Sequence, residues 1–427
     1  MTSLKLQLNK LADAHTQWQL TDSENRKRAS FLYDPKEAST LDRETIYCLG
    51  TNGFEELCLL DSGFEEFERV LFSDTSLTFE RSIQTKEVND SLDLTIRRFL
   101  IRLSPYFLLS PAHKALEWLV HRFFIHFYNI DDLMRCILPY HEHNYFTRAI
   151  QMFRLKDKNS SWSWLESART AGTTIPGLVM ANRCATDLGF LNFICESTAM
   201  AVKEFGSNHS SLRVIINFYL KTLCSTILHS LSHRKKKKKT NSNQENFIAH
   251  LMPFLLKGLK SKSVDYKRAT YLILSHLSNI FTFQTNIRDD ILNVLSKGLS
   301  DDVIKENLLI ISVFLNNQHH LSLPDRCFLK LCDMSNIIDE IFQLTNEVRI
   351  DNFLCAWFEQ LLNHVLKDAN QMETDHEQKF SILVEKTLNT LKFNSQILKF
   401  LINSFIKHFN DNNDTYLVSL ASIIERK

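Results

Sequence analysis

The chain has 427 residues, 44% of them hydrophobic, with only 9 glycines, 7 prolines and a formal net charge of +1. A chain this long exceeds the usual single-domain size of roughly 100–200 residues and reads as several domains or a repeat array. The shortage of Gly and Pro excludes a fold built on tight hairpins or phosphate-cradling loops, and the near-zero charge excludes a surface built throughout to neutralise phosphate.

In chain order, the first residues, MTSLKLQLNKLADAH, lack an uninterrupted apolar signal core. No later run approaches the ~18 apolar residues that span a bilayer, so the expectation is a soluble intracellular protein with no membrane partner. The nine cysteines, at 48, 58, 136, 184, 195, 224, 327, 332 and 355, are odd in number and form no C-x-x-C pair. They read as reduced thiols. In "GTNGFEELCLLDSGFEEFERVLF" the pattern Gly-Phe-Glu-Glu-apolar occurs at Gly53–Leu57 and at Gly63–Phe67. A glycine that ends one segment and acids that open the next predict two successive helix starts.

"EWLVHRFFIHFYNIDDLMRCILPYHEHNYFTRAI", residues 117–150, holds four histidines and Cys136. His121 and His126 are five apart, about 140° around a helix, and cannot share a face as an i, i+4 pair does. His141 and His143 flank an acid near Pro139, and Cys136 has no paired thiol nearby. Zinc needs three or four convergent ligands, so structural histidines and no metal or other cofactor are expected. Sequences of the G-x-S-x-G, G-x-x-x-x-G-K-[ST] and G-x-G-x-x-G types are absent. The carboxylate pairs Glu55/Glu56, Glu65/Glu66 and Asp301/Asp302 suit helix N-terminal turns, where adjacent side chains diverge. Cys195 and His209 make a pairing that any chain of this length offers by chance. The reading is a protein that is not an enzyme and has no small-molecule substrate.

"SLRVIINFYLKTLCSTILHSLS" (211–232) places Leu212, Ile216, Tyr219, Leu223, Ile227 and Leu231 at steps of three or four, which predicts an amphipathic helix. It runs into "HRKKKKKTNSNQEN" (233–246), a polar segment read as a solvated linker. Arg234, Lys235, Lys236, Lys237, Lys238 and Lys239 supply six positive charges; +1 less these six leaves the rest of the chain at −5. Beside the plain linker stand two functional readings of this run: a nuclear-import signal, which is favoured, and non-specific contact with RNA phosphates.

Beyond the linker, "LLKGLKSKSVDYKRATYLILSHL" and "LSKGLSDDVIKENLLIISVFL" align at an offset of 40 residues. Lys257, Gly258 and Leu259 match Lys297, Gly298 and Leu299; Val264 matches Ile304 and Ile273 matches Val313. A period near 40 is that of HEAT and armadillo helix pairs, which stack because one pair cannot bury its own apolar face. The predicted fold is all-α, an armadillo-like, HEAT-type helical-repeat solenoid. Antiparallel pairs are expected at 247–281 and 287–317, with Leu259 and Leu299 equivalently buried. The expected organisation is an N-terminal helical region 1–232, the polylysine linker 233–246 and HEAT-like repeats over 247–427.

The blocks "DPKEASTLDRET" (34–45), "QTKEVN" (84–89) and "LSPYFLLSPAHKALEWLVHRF" (103–123) together resemble the N-terminal region of the HEAT repeat-containing protein 1 family. "LPYHEHNYFTRAIQMF" (138–153), "DLGFLNFIC" (187–195) and "KGLKSKSVDYKRATYLI" (257–273) resemble the same family further on. The resemblance covers most of residues 1–280, and the polylysine run is not part of it. It implies a non-enzymatic nucleolar scaffold of the small-subunit processome. Such a scaffold supports pre-rRNA transcription by RNA polymerase I and the processing of small-subunit rRNA. The implied partners are β-propeller proteins of the early processome subcomplex, the guide small nucleolar RNP and pre-rRNA. On this reading, residues 117–150 form a packed helix pair and docking surface. Family members are several times longer, so the chain is expected to be an N-terminal fragment, a short isoform or an incomplete gene model. A competing reading is a HEAT-repeat nuclear transport or cargo-binding adaptor. That would call for a dense ladder of like charges or of Asn and Trp along one groove, and the sequence shows none.

Overall fold

The computed structural model describes residues 29–153, 155, 161–207, 209–231, 241–298, 303–318, 322–369, 377–391 and 395–411. Among the described residues the regular structure is helical throughout, with no strand. The chain divides into two compact units, residues 1–180 with 196–218, and residues 181–195 with 219–427.

In the first unit the long helices start where short polar side chains cap them. Asp42 accepts the Thr45 N–H at 2.7 Å ahead of the Arg43–Leu60 helix, and Thr85 caps the Lys86–Leu103 helix. The predicted break at Gly53 is absent, because Gly50 and Gly53 lie inside the Arg43–Leu60 helix. They are there for close packing against the Ser110–Phe123 helix. A Cβ at Gly50 would come within 2.4 Å of the Trp118 Cβ, and one at Gly53 within 2.6 Å of the Pro111 carbonyl oxygen. The second echo, at Gly63, does open a new element, the 3-10 turn Ser62–Phe67, capped by Asp61.

The core of this unit is aromatic. Phe64, Phe67 and Phe72 ring Phe99 at centroid distances of 5.4–5.7 Å, and Phe72 stacks on Phe54 at 4.2 Å.

The second unit contains a regular array, in which each helix packs on the helix two places further along the chain. In chain order the helices are Asn241–Leu259 and Val264–Ile280, Thr285–Lys297 and Ile304–Asn317, Asp325–Cys332 and Ile337–Glu347, Asp351–Ala369 and Glu377–Thr390, then Ser395–Asp411. This is the HEAT-type helical-repeat arrangement expected from the 40-residue echo, and the helices from Val264 and Ile304 begin 40 residues apart. One apolar core runs from Leu259 to Leu401. Leu259 is buried as expected; Leu299, its counterpart, lies outside the described residues. The shared glycine has a steric reason at Gly258, where a Cβ would meet the Thr270 hydroxyl oxygen at 2.3 Å.

Polar bonds join successive pairs. Lys267 Nζ donates to the Gly298 carbonyl at 3.0 Å. Asn307 Nδ2 donates to the Tyr271 hydroxyl of the preceding pair at 3.0 Å and, within its own pair, to the Leu295 carbonyl at 2.9 Å. Gln318 Nε2 donates to the Ser278 and Phe281 carbonyls, while its Oε1 accepts from the Phe283 N–H. Carbonyls at or near helix ends are the ones that most need such donors. The amphipathic helix predicted over 211–232 is found as Leu212–Ser225 continuing into a wider turn Thr226–Leu231, with Leu212, Ile216, Tyr219, Leu223 and Ile227 buried. The segment read as linker is helical from Asn241 onward.

Candidate functional site

Arg234, Lys235, Lys236, Lys237, Lys238 and Lys239, the predicted import or RNA-contact run, lie outside the described residues. The histidine-rich stretch is described in full and belongs to the first unit. It is not one helix pair. The Ser110–Phe123 helix stops at Phe124, short helices follow at Ile125–Tyr128 and Ile130–Ile137, and a 3-10 turn at Leu138–Tyr140 leads to Asn144–Gln151.

Residues Leu116 to Phe123 are all buried, charged members included, because each charge has backbone to hold. The Glu117 carboxylate accepts the N–H groups of Phe31 (2.8 Å) and Leu32 (3.0 Å). Trp118 Nε1 donates to the Leu71 carbonyl (2.8 Å) and Arg122 Nε to the Ser76 carbonyl (2.7 Å). Buried polar atoms are stable only with such partners.

The histidines do separate structural jobs. His121 lies beside the Trp118 ring. His141 Nδ1 is 2.6 Å from the Ile175 carbonyl, and since a carbonyl only accepts, that nitrogen carries the proton. His143 Nδ1 instead accepts the Tyr145 N–H at 3.2 Å, capping the Asn144–Gln151 helix. Among the described residues, no three His, Cys, Asp or Glu side chains converge as a metal-binding group.

The other candidates are placed as follows. Burial pushes the Cys136 thiol far up, and those of Cys184 and Cys327 to about 12, which makes them poor nucleophiles. Cys195 is buried, and His209 faces Asp61 at 3.8 Å. Of the carboxylate pairs, Glu56 is engaged by Lys114 (2.6 Å) and Glu66 by Arg98 (2.7 Å).

What sequence reasoning missed is a cleft of about 460 Å³ beside this stretch. Its polar floor is held by three carboxylates. Asp93 accepts from Arg81 (2.7 Å) and Asn129 (2.9 Å), Asp132 from Arg97 (2.9 Å) and Arg135 (2.7 Å), and Asp131 from Trp162 Nε1 (2.7 Å). Its rim carries Phe127 and Tyr128, 54% and 43% exposed, set edge to face at 5.0 Å. Arg81 lies over the Tyr128 ring at 4.8 Å. The participants are scattered from 81 to 162, and the aromatic density of "FFIHFYN" was the single local signal.

A family model described as U3 small nucleolar RNA-associated protein 10 matches residues 247–361, within the repeat array. HEAT repeat-containing protein 1 of Homo sapiens is 37% identical over 380 residues, covering 88% of this chain and 17% of the relative. The chain is a homologue of HEAT repeat-containing protein 1. The protein of that name from Danio rerio is 35% identical over 404 residues, 93% of this chain and 18% of its own length. U3 small nucleolar RNA-associated protein 10 of Candida albicans is 31% identical over 310 residues, 71% of this chain and 16% of its own. The chain thus spans under a fifth of the length of these relatives. Its likeness to HEAT repeat-containing protein 1 extends well beyond the array that the family model matches.

Proposed function

We propose that the chain acts as a non-enzymatic scaffold in ribosome biogenesis, as a component of the small-subunit processome that supports pre-rRNA transcription by RNA polymerase I and processing of small-subunit rRNA. The observation that carries this is the 35–37% identity over 88–93% of the chain to relatives named HEAT repeat-containing protein 1, joined to the U3 small nucleolar RNA-associated model on the repeats. A stacked helical array supports it physically, since it exposes a long surface for many weak contacts. The proposed partners are the guide small nucleolar RNP, pre-rRNA and β-propeller proteins of the early subcomplex. The proposed location is the nucleolus, within the nucleus. We further propose three functional segments, 1–232, 233–246 and 247–427, with Arg234 and Lys235 to Lys239 serving nuclear import.

The test is affinity purification of the tagged chain from nuclei. Co-purification of U3 small nucleolar RNA, pre-rRNA and propeller proteins is expected. Recovery of transport receptors and cargo without pre-rRNA would replace the reading with a transport adaptor. Changing all six basic residues of the run to Gln should abolish nuclear accumulation, and a fused heterologous import signal should restore both location and pre-rRNA association. If the fused signal restores location alone, and the missing association is strongly salt-dependent, the run contacts RNA instead.

A further inference from the structure

We propose that Ser30 is a phosphorylation site for a basophilic protein kinase, and that its phosphoryl group releases residues 30–33 from the groove that holds them against the Ser110–Phe123 and Asn144–Gln151 helices.

The sequence around the hydroxyl is "RKRASF" (26–31). Arg26, Lys27 and Arg28 stand at the fourth, third and second places before Ser30, and the apolar Phe31 follows it directly. A kinase that selects basic substrates lines its cleft ahead of the acceptor with carboxylates, so charge complementarity recognises this pattern. The step is a transfer from ATP. A bond forms between Ser30 Oγ and the γ-phosphorus as the bond from that phosphorus to the bridging β–γ oxygen breaks. ADP leaves, and the hydroxyl proton passes to the catalytic carboxylate of the kinase.

The groove is built to hold an uncharged segment. Ser30 and Phe31 are 5% and 3% exposed, and Ser30 Oγ accepts the Tyr33 N–H at 2.9 Å, which folds the segment into a turn. Glu117 Oε2 accepts the N–H groups of Phe31 and Leu32 at 2.8 and 3.0 Å. Arg148 donates from Nε to the Phe31 carbonyl at 3.0 Å and from Nη2 to the Tyr33 carbonyl. The Phe31 ring lies 4.9–6.2 Å from those of His113, Phe107 and Tyr145. The Pro35–Thr40 helix that follows buries Ala38 alone. Residues 30–33 are thus a strap fastened at one spot, and segments with few buried apolar side chains open at low cost.

A phosphoryl group brings a charge of about −1.5 to −2 at neutral pH, which cannot stay desolvated here. It stands one residue from the N–H groups that the buried Glu117 carboxylate holds, and that like charge repels it. Arg148 is bonded to two carbonyls of the strap, so turning its fork to the phosphate also undoes the strap. Since the hydroxyl must enter the kinase cleft to react, the kinase meets the opened form, and phosphorylation traps a state that the unmodified chain visits briefly. Nothing in this argument depends on the processome reading.

The full 427-residue chain should be incubated with ATP and the catalytic subunit of cAMP-dependent protein kinase, beside a synthetic peptide of residues 24–34. Mass spectrometry should place a phosphate on Ser30 in both, more slowly in the chain by about tenfold or more, because its competent form is a minor one. Arg148→Lys, which loosens the grip on the strap, should bring the rate in the chain towards that of the peptide. Hydrogen exchange at the Phe31 and Leu32 amides should quicken about tenfold or more on phosphorylation and slow again after phosphatase treatment. Ser30→Ala should abolish this kinase-dependent change while phosphates elsewhere remain. If Arg148→Lys disturbs folding, the exchange measurement on the unaltered chain decides. A peptide that is not phosphorylated, a chain unmodified at Ser30 while the peptide is modified, a rate unaltered in folded Arg148→Lys, or unchanged protection of Phe31 and Leu32 in the phosphorylated chain would each overturn the proposal.

Discussion

The two units are held together over different stretches of chain. In the repeat array, the polar bonds between stacked pairs join residues about one repeat apart, from 31 for Lys267 with Gly298 to 42 for Lys305 with Glu347. In the first unit, the bonds from side chains to distant backbone vary widely, from 25 residues, for Tyr47 with Phe72, through 86 for Glu117 with Phe31, to 117 for Arg148 with Phe31. A repeat array closes loops of one size and depends on its nearest neighbours. The first unit ties distant backbone to one buried helix, so the loss of a single anchor should be felt across it. The array offers repetition and surface. The irregular unit can hold a feature such as the cleft, assembled from distant segments.

Trp118→Ala tests that difference most severely. It empties a fully buried site and removes the bond to Leu71, and should cost about 3–5 kcal/mol. Hydrogen exchange should show protection lost throughout residues 29–153. Loss confined to the neighbours of Trp118 would mean that the first unit is as modular as the array. Next, Gly50→Val should cost about 2–3 kcal/mol in chemical denaturation, because its Cβ would overlap that of Trp118 and neither helix backbone can yield freely. A midpoint at or above that of the unaltered protein would contradict the close helix approach.

Within the array, Asn307→Ala removes one donor from the Leu295 carbonyl, which keeps the Gly298 N–H, and one from the Tyr271 hydroxyl, and should cost about 1–2 kcal/mol. The exchange change should stay within residues 264–317, as nearest-neighbour coupling requires. The smallest effect is a pH dependence in the first unit. Burial holds the His113 imidazole below its usual range, and His143 adds repulsion, among the rings of Phe31, Phe107 and Tyr145. The folded state therefore binds fewer protons than the unfolded one, and stability falls as pH drops through about 6.5, by at most about 1.4 kcal/mol per pH unit. Urea midpoints at pH values of about 7.5 and 5.5 should show the drop. His113→Phe should flatten it, and an unchanged slope would remove His113 as its source.

The array was largely legible in the sequence because its information is local. Apolar spacing marks the helices, and the matching Lys-Gly-Leu motifs place Val264 and Ile304 at equivalent helix starts. The relation to HEAT repeat-containing protein 1 was also readable, since it rests on residue order alone. Tertiary structure decided the rest. Gly53 looked like a helix end and proved to be a packing surface, because the helix it must approach begins some 57 residues later, at Ser110. The histidines looked like one cluster and were divided among a ring contact, a carbonyl partner and a helix cap. The cleft brings Arg81, Asp93, the Asn129–Asp132 turn and Trp162 together from four places along the chain. Periodicity reports which face of a helix is apolar, but not which distant helix covers it. Sites assembled by contacts between distant segments therefore emerge only when the chain has folded.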